Sequence, residues 1–166
     1  AVAAGTIASS IGKANTARVL NDYAAVDVDL DTAHALAGRN QRVDRAQESW
    51  QRERGWQFDI DSEHGKGSSP DFGDRDATTQ ATIASPLIDN HWRIVALGRY
   101  STADLPEGDV RRSRAGVGVR GYAYGFEAYV QALPSTDRYV GKTAIEGGFN
   151  WSLSDHWSWA VDYSTA

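Results

Sequence analysis

Carboxylates at alternate positions are the first residues in this sequence with chemistry to offer. Asp59, Asp61 and Glu63 follow one another two residues apart, which on an extended strand puts all three on one side. Glu127, Glu146 and Asp162 fall in comparable alternating segments further along. Neighbouring carboxylates can share the work of glycoside hydrolysis, but that chemistry needs one of them in an apolar setting and the other hydrated. One acidic strand face gives both the same surroundings, so the pattern points away from hydrolysis. It does supply a row of weak cation-attracting contacts, suited to guiding a positively charged polymer; the alternative is the wet face of a soluble sheet. Arg93, Arg99, Arg114 and Arg120 are expected to balance the acids by pairing across strands.

The remaining candidates are weaker. His64, His91 and His156 have no recognised zinc spacing, and the last two directly precede Trp at expected turns, so they read as turn residues and not as metal ligands. Gly116-Val117-Gly118-Val119 and Gly147-Gly148 lack a phosphate-loop continuation; these glycines are expected to relieve crowding in curved strands or to make room for an inward side chain. No catalytic residue, metal or cofactor is expected, and the chain does not read as an enzyme.

The elements that must hold these residues divide the chain in two. Tyr23 is the only aromatic residue before Trp50, and the other sixteen lie from Trp50 onward. Residues 1–53 are Ala-rich and predict a partly helical segment or linker. Within it Val26-Asp27-Val28-Asp29-Leu30-Asp31 alternates like a short strand, so residues 19–31 are also a candidate strand. From residue 54 the period changes to two, and about seven antiparallel strands are expected over 54–166. They are read as Trp56 to Glu63, Asp76 to Ser85, His91 to Thr102, Arg111 to Arg120, Phe126 to Gln131, Arg138 or Tyr139 to Trp151, and His156 to Tyr163. Connections near 65–75, 103–110 and 132–138 are longer and polar, whereas those near 86–90, 121–124 and 152–155 are short. Alternating long and short loops are what an outer-membrane meander predicts.

Composition fits that reading. Among 166 residues there is no Cys, which excludes a disulfide scaffold, and Lys+Arg 17 against Asp+Glu 22 gives a net charge of -5 that disfavours a nucleic-acid surface. No run of about 20 apolar residues exists, so a membrane helix is excluded, while a membrane β-barrel, whose strands alternate apolar-out and polar-in, is not. Trp92 and Tyr100, and again Trp157 and Tyr163, open and close two similar turn-strand units. In a barrel the tryptophans would lie at one membrane interface and the tyrosines at the other; in a soluble sandwich the same rings would be buried.

Arg54-Gly55-Trp56 leading into the acidic strand, Ala81-Thr82-Ile83-Ala84-Ser85-Pro86, Asp89-Asn90-His91-Trp92-Arg93, Glu127-Ala128 and Ser154-Asp155-His156-Trp157 together carry a family resemblance. The segment from Arg54 to Ala166 resembles the N-terminal part of the barrel in outer-membrane exporters of poly-β-1,6-N-acetyl-D-glucosamine, a biofilm exopolysaccharide. The resemblance implies a barrel of about sixteen strands after a periplasmic tetratricopeptide region, with residues 13–54 similar to its last helical portion, though without a full helical repeat signature of roughly 34 residues. It implies an electronegative lumen for a partly deacetylated, cationic polymer, its lining corresponding to Asp59, Asp61, Glu63, Glu127, Glu146 and Asp162. Implied partners are the polysaccharide, outer-membrane lipid and periplasmic polysaccharide-modifying or synthase components, with no nucleic acid. Seven strands are too few for such a pore, so a partial barrel is expected. A compact eight-stranded barrel using residues 19–31, a small structural outer-membrane barrel and a soluble carbohydrate-binding β domain are the alternatives.

Overall fold

The computed structural model describes residues 2–65, 76–105, 108–134, 142–154 and 156–165. Three helices, α1 (Val2–Val19), α2 (Tyr23–Ala37) and α3 (Gln41–Arg54), precede seven strands: β1 (Gln57–Gly65), β2 (Asp76–Ala84), β3 (Trp92–Leu105), β4 (Gly108–Ala123), β5 (Phe126–Leu133), β6 (Ala144–Ser154) and β7 (Trp157–Ser164). The described part of the Ala-rich start is thus helical apart from the connections at 20–22 and 38–40, and the Asp-rich run lies within α2. Val26, Leu30 and Ala33 are buried on one face of α2 while Val28 is exposed. Spacings of four and three carry the buried stripe on from Val26 and Leu30 to Ala33, and Val26 and Leu30 pack with Ala14, Ala17 and Trp50; this packing outweighs the local alternation. Asp22 caps α2 by accepting from the Ala25 amide at 3.3 Å, and Asn40 caps α3 by accepting from the Arg42 amide at 3.0 Å.

The strands form one sheet in the order β1-β2-β3-β4-β5-β6-β7, every neighbour antiparallel. This is a meander curled into an open, partial barrel. Among the described residues β1 and β7 stand at its two edges. Two connections at one end are tight. Asp89 and Asn90 take positive φ (48° and 57°) between Ile88 and Trp92, which are themselves bridged. Tyr124-Gly125 joins Ala123 to Phe126. Gly125, at φ 65°, donates its amide to Leu20 O at 2.6 Å, and a Cβ there would fall 2.8 Å from Ser152 O, so this position needs glycine both for its conformation and for its close approach to β6.

Several boundaries differ from expectation. The polar connection over 103–110 narrows, because β3 runs to Leu105 and pairs with Gly108 of β4; ladder hydrogen bonds belong to the backbone and continue where the apolar pattern fades. β6 runs on to Ser154, with a register shift between Ser152 and Ser154 where a short turn was expected. Residues 66–75 and 135–141, which hold most of the other long connections and the start proposed for the sixth strand, lie outside the described residues.

Helices and sheet meet at the short-turn end. Ala14, Ala17, Val26, Leu30 and Trp50 share a buried cluster with Leu87, from the β2–β3 connection, and Tyr122 of β4. Tyr23 lies between them, its ring centroid 5.5 Å from that of Trp50 and 5.2 Å from that of Tyr122.

Candidate functional site

Registered pairing decides which residues share a face. Asp59, Asp61 and Glu63 stand opposite Thr82, Gln80 and Thr78. These stand opposite Leu97, Arg99 and Ser101, and Arg99 and Ser101 opposite Arg114 and Arg112. On β3 the side chains of this parity are covered, Arg93 to 2% and Leu97 to 4% exposure, whereas Trp92 and Ile94 of the other parity are exposed. The first set therefore marks the inner face. Continuing the register places Glu127, Glu146 and Asp162 on the inner face too, so all six candidate carboxylates share one side.

They do not share one environment. Two adjacent rungs, Glu63-Thr78-Ser101-Arg112 and Asp61-Gln80-Arg99-Arg114, line a cleft of about 460 Å³ toward the end of the sheet away from the helices. Carboxylates form one wall and guanidinium groups the other. Asp59 lies one rung nearer the helices, exposed and outside the cleft lining.

Glu146 is engaged. Arg99 binds it through two parallel bonds, Nη1 to Oε1 at 2.9 Å and Nη2 to Oε2 at 3.1 Å, while Gln131 donates to Oε2 at 2.7 Å. Arg99 also donates from Nε to Gln80 Oε1 at 3.0 Å. This chain of polar groups reaches from β2 to β6. The three strand steps from β3 to β6 amount to ~14 Å along the sheet. The intervening β4 carries Gly116 and Gly118 on the inner face, where a Cβ would fall 2.6 Å from the carbonyl oxygens of Ala132 and Val130. Curvature that tight, over the buried Leu97, Leu133 and Ala144, brings the two side chains together. The expected pairing of arginine with acid is met here, and the glycine pattern has the crowding-relief role read from the sequence.

Asp162 accepts a hydrogen bond from the Tyr129 hydroxyl at 2.7 Å. The two side chains belong to β5 and β7 and meet above Gly148 of β6, where an added Cβ would collide with Asp162 Oδ1 and with Tyr129. Glu127 pairs in register with Tyr122 and lies at the junction with the helices. The six carboxylates thus divide into two in the cleft, one exposed beside it, two bonded to other strands and one at the junction.

Arg93 departs from its expected role. It is buried, and instead of an acid it holds three backbone carbonyls: Glu53 O at 2.6 Å, Ser85 O at 2.7 Å and Gly55 O at 2.8 Å. It ties the C-terminus of α3 to β2, where helix carbonyls lack intrahelical partners. Beside it Asp27 of α2 receives Trp50 Nε1 at 2.6 Å, Arg54 Nη1 at 3.2 Å and Asn90 Nδ2 at 2.8 Å, joining two helices to the β2–β3 turn. Arg18 and Glu53 form a further ion pair between α1 and α3. Burial, reinforced by Tyr122 and Glu127, pushes the Tyr23 hydroxyl up to about 12. Sequence reasoning missed this junction because its partners are far apart in the chain: Asp27 reads as one of three alternating aspartates and Asn90 as a turn residue, with nothing to link them. Arg112 was also missed, although its i, i+2 relation to Arg114 is a legible alternation.

The outer face is apolar and uncovered. Trp92 is 54%, Trp157 69% and Tyr163 66% exposed, with Phe58, Ile60, Ile94, Tyr100, Val117, Val130, Trp159 and Val161 also exposed. Trp56, Trp92 and Trp157 begin strands or precede them at the helix end. Tyr100 is eight residues above Trp92, ~26 Å along the strand, comparable to the height of a membrane barrel's apolar band. A soluble sandwich would bury these rings. Among the described residues no helix is long and apolar enough to cross a membrane. Among the described residues no cluster of three or more His, Asp or Glu could hold a metal ion.

Comparison with curated proteins and with solved structures found no match. The model of the PgaA membrane β-barrel domain family matches residues 53–165, the stretch that begins where α3 gives way to the meander and spans all seven strands. An uncovered apolar outer face, a charged inner face and nearest-neighbour antiparallel pairing are the features that such a domain requires, and the chain belongs to the PgaA membrane β-barrel domain family.

Proposed function

We propose that the inner face of this sheet is part of the wall of an outer-membrane conduit that exports partly deacetylated, and so partly cationic, poly-β-1,6-N-acetyl-D-glucosamine. The observation that carries this reading is the division of the sheet into an exposed aromatic and aliphatic outer face and an inner face bearing all six candidate carboxylates. Lipid satisfies the first and water the second. Asp59, Asp61 and Glu63 are the residues offered to the polymer's ammonium groups; Glu127, Glu146 and Asp162 line the same wall, with Glu146 and Asp162 also joining strands. Trp92 and Trp157 would anchor one membrane interface and Tyr100 and Tyr163 the other.

Short turns face the periplasm in outer-membrane barrels, and the helices dock at the end where Asp89-Asn90 and Tyr124-Gly125 turn the chain. The helical segment is therefore periplasmic in this reading, on the side from which synthase and polysaccharide-modifying components would deliver polymer. A tetratricopeptide superhelix there comes from the family resemblance.

The test is single-channel recording of the intact protein in a lipid bilayer with β-1,6-linked glucosamine oligomers as blockers. Asp61→Asn with Glu63→Gln is expected to weaken block and to lower cation preference. Unchanged block and unchanged cation preference would overturn the acidic-lining reading. Free solubility as a compact monomer without detergent would overturn the membrane reading itself.

A further inference from the structure

Building on the conduit reading, the arginine wall of the cleft carries a ligand preference of its own. Arg114 is nine-tenths buried and lines the cleft. It stands directly opposite Arg99 in the β3–β4 register, and like charges so placed repel. Glu146 offsets Arg99. Among the described residues no ion pair offsets Arg114, nor Arg112 two residues along on the same face. The nearest acids in the cleft, Asp61 and Glu63, sit on β1, three strand steps or ~14 Å away along the sheet, with the open cleft between. Arg114 is largely covered, but its guanidinium opens onto the cleft with no counter-charge beside it, a setting in which a ligand anion supplies the missing partner. The cleft volume of about 460 Å³ lies in the range of small-ligand sites, roughly 300–1,000 Å³.

We propose that Arg112 and Arg114 form an anion subsite that takes a carboxylate or phosphate substituent on the exported saccharide, while Asp61 and Glu63 hold the ammonium group of a neighbouring sugar. The cleft then reads a zwitterionic stretch of polymer, and a forked guanidinium suits either anion.

The experiment measures block of the intact protein in lipid bilayers by three β-1,6-linked glucosamine tetramers: unsubstituted, bearing one succinyl ester, and bearing one phosphate. At least one anionic tetramer is expected to block about tenfold more tightly than the unsubstituted one, as a charge-assisted pair would give. The tighter of the two identifies the substituent. Arg112→Gln with Arg114→Gln should abolish that advantage and leave block by the unsubstituted tetramer unchanged. The exposed Arg112→Gln alone should reduce it in a protein whose heat-modifiable migration is normal, which keeps the test valid if loss of Arg114 harms folding. Equal block by all three tetramers, or an advantage that survives both substitutions, overturns the subsite and leaves the conduit standing. No block by any tetramer overturns both.

Discussion

The two ends of the inner face use charge in opposite ways. At the helix end Arg93 holds three carbonyls and Asp27 receives three donors; these charges are consumed in joining α2 and α3 to the β2–β3 connection. At the far end Asp61 and Glu63 face Arg112 and Arg114 across an open cleft. Satisfied charges belong to construction, since removing one partner leaves a buried group stranded. Charges kept apart add little to stability and remain available to a ligand.

Substitutions at the two ends should separate along that line, and the largest effect is expected at Arg93. Arg93→Ala strands three carbonyls and should cost about 3–5 kcal/mol, measured by denaturant unfolding of the folded protein in lipid vesicles. A loss below 1 kcal/mol would mean that the junction is not held by this residue. Val117→Lys, on the exposed outer face, should cost about 2–4 kcal/mol in lipid; no change would break the assignment of faces.

Asp27→Ala comes next. It removes the shared acceptor of Trp50, Arg54 and Asn90, and about 1–2 kcal/mol is expected for a site that is still partly solvated. By contrast Asp61→Asn with Glu63→Gln should leave the unfolding midpoint unchanged while altering cation preference. If that pair destabilises the protein as much as Asp27→Ala does, the contrast between the two ends fails.

The smallest effect concerns pH. The Tyr23 hydroxyl is raised to about 12, above an ordinary tyrosine value near 10, so the folded state holds its proton more tightly than the unfolded one. Its contribution to stability is complete below pH 10 and is lost as pH rises toward 12. Tyr23→Phe should remove that component from the alkaline limb of the stability curve; an identical limb in the variant would show that this hydroxyl plays no part.

Period was enough to read the sheet. Trp56 to Glu63 and Trp157 to Tyr163 each alternate cleanly, and alternation fixes the face of every residue once neighbours pair in sequence order. The helices were less legible because Val26 to Asp31 satisfies two periods at once, and packing of Val26 and Leu30 against Trp50 decides between them. The inner face was visible as a list of acids but not as an arrangement. That Glu146 answers Arg99 while Glu63 stays free depends on curl, and curl depends on Gly116 and Gly118 lying under Ala132 and Val130. Glycines announce room; which side chain crosses it is decided only in three dimensions.

Gly148 has a consequence for the accuracy of assembly. A strand with Gly147 and Gly148 at its centre has few side chains to define its alignment, and such strands are prone to slide against their neighbours. The Tyr129 hydroxyl reaches Asp162 only through the gap left at Gly148. Moving β6 by two residues would keep its faces correct but would put Glu146 or Asn150 in that gap and break the bond. The pair therefore works as a key that accepts one alignment of three successive strands.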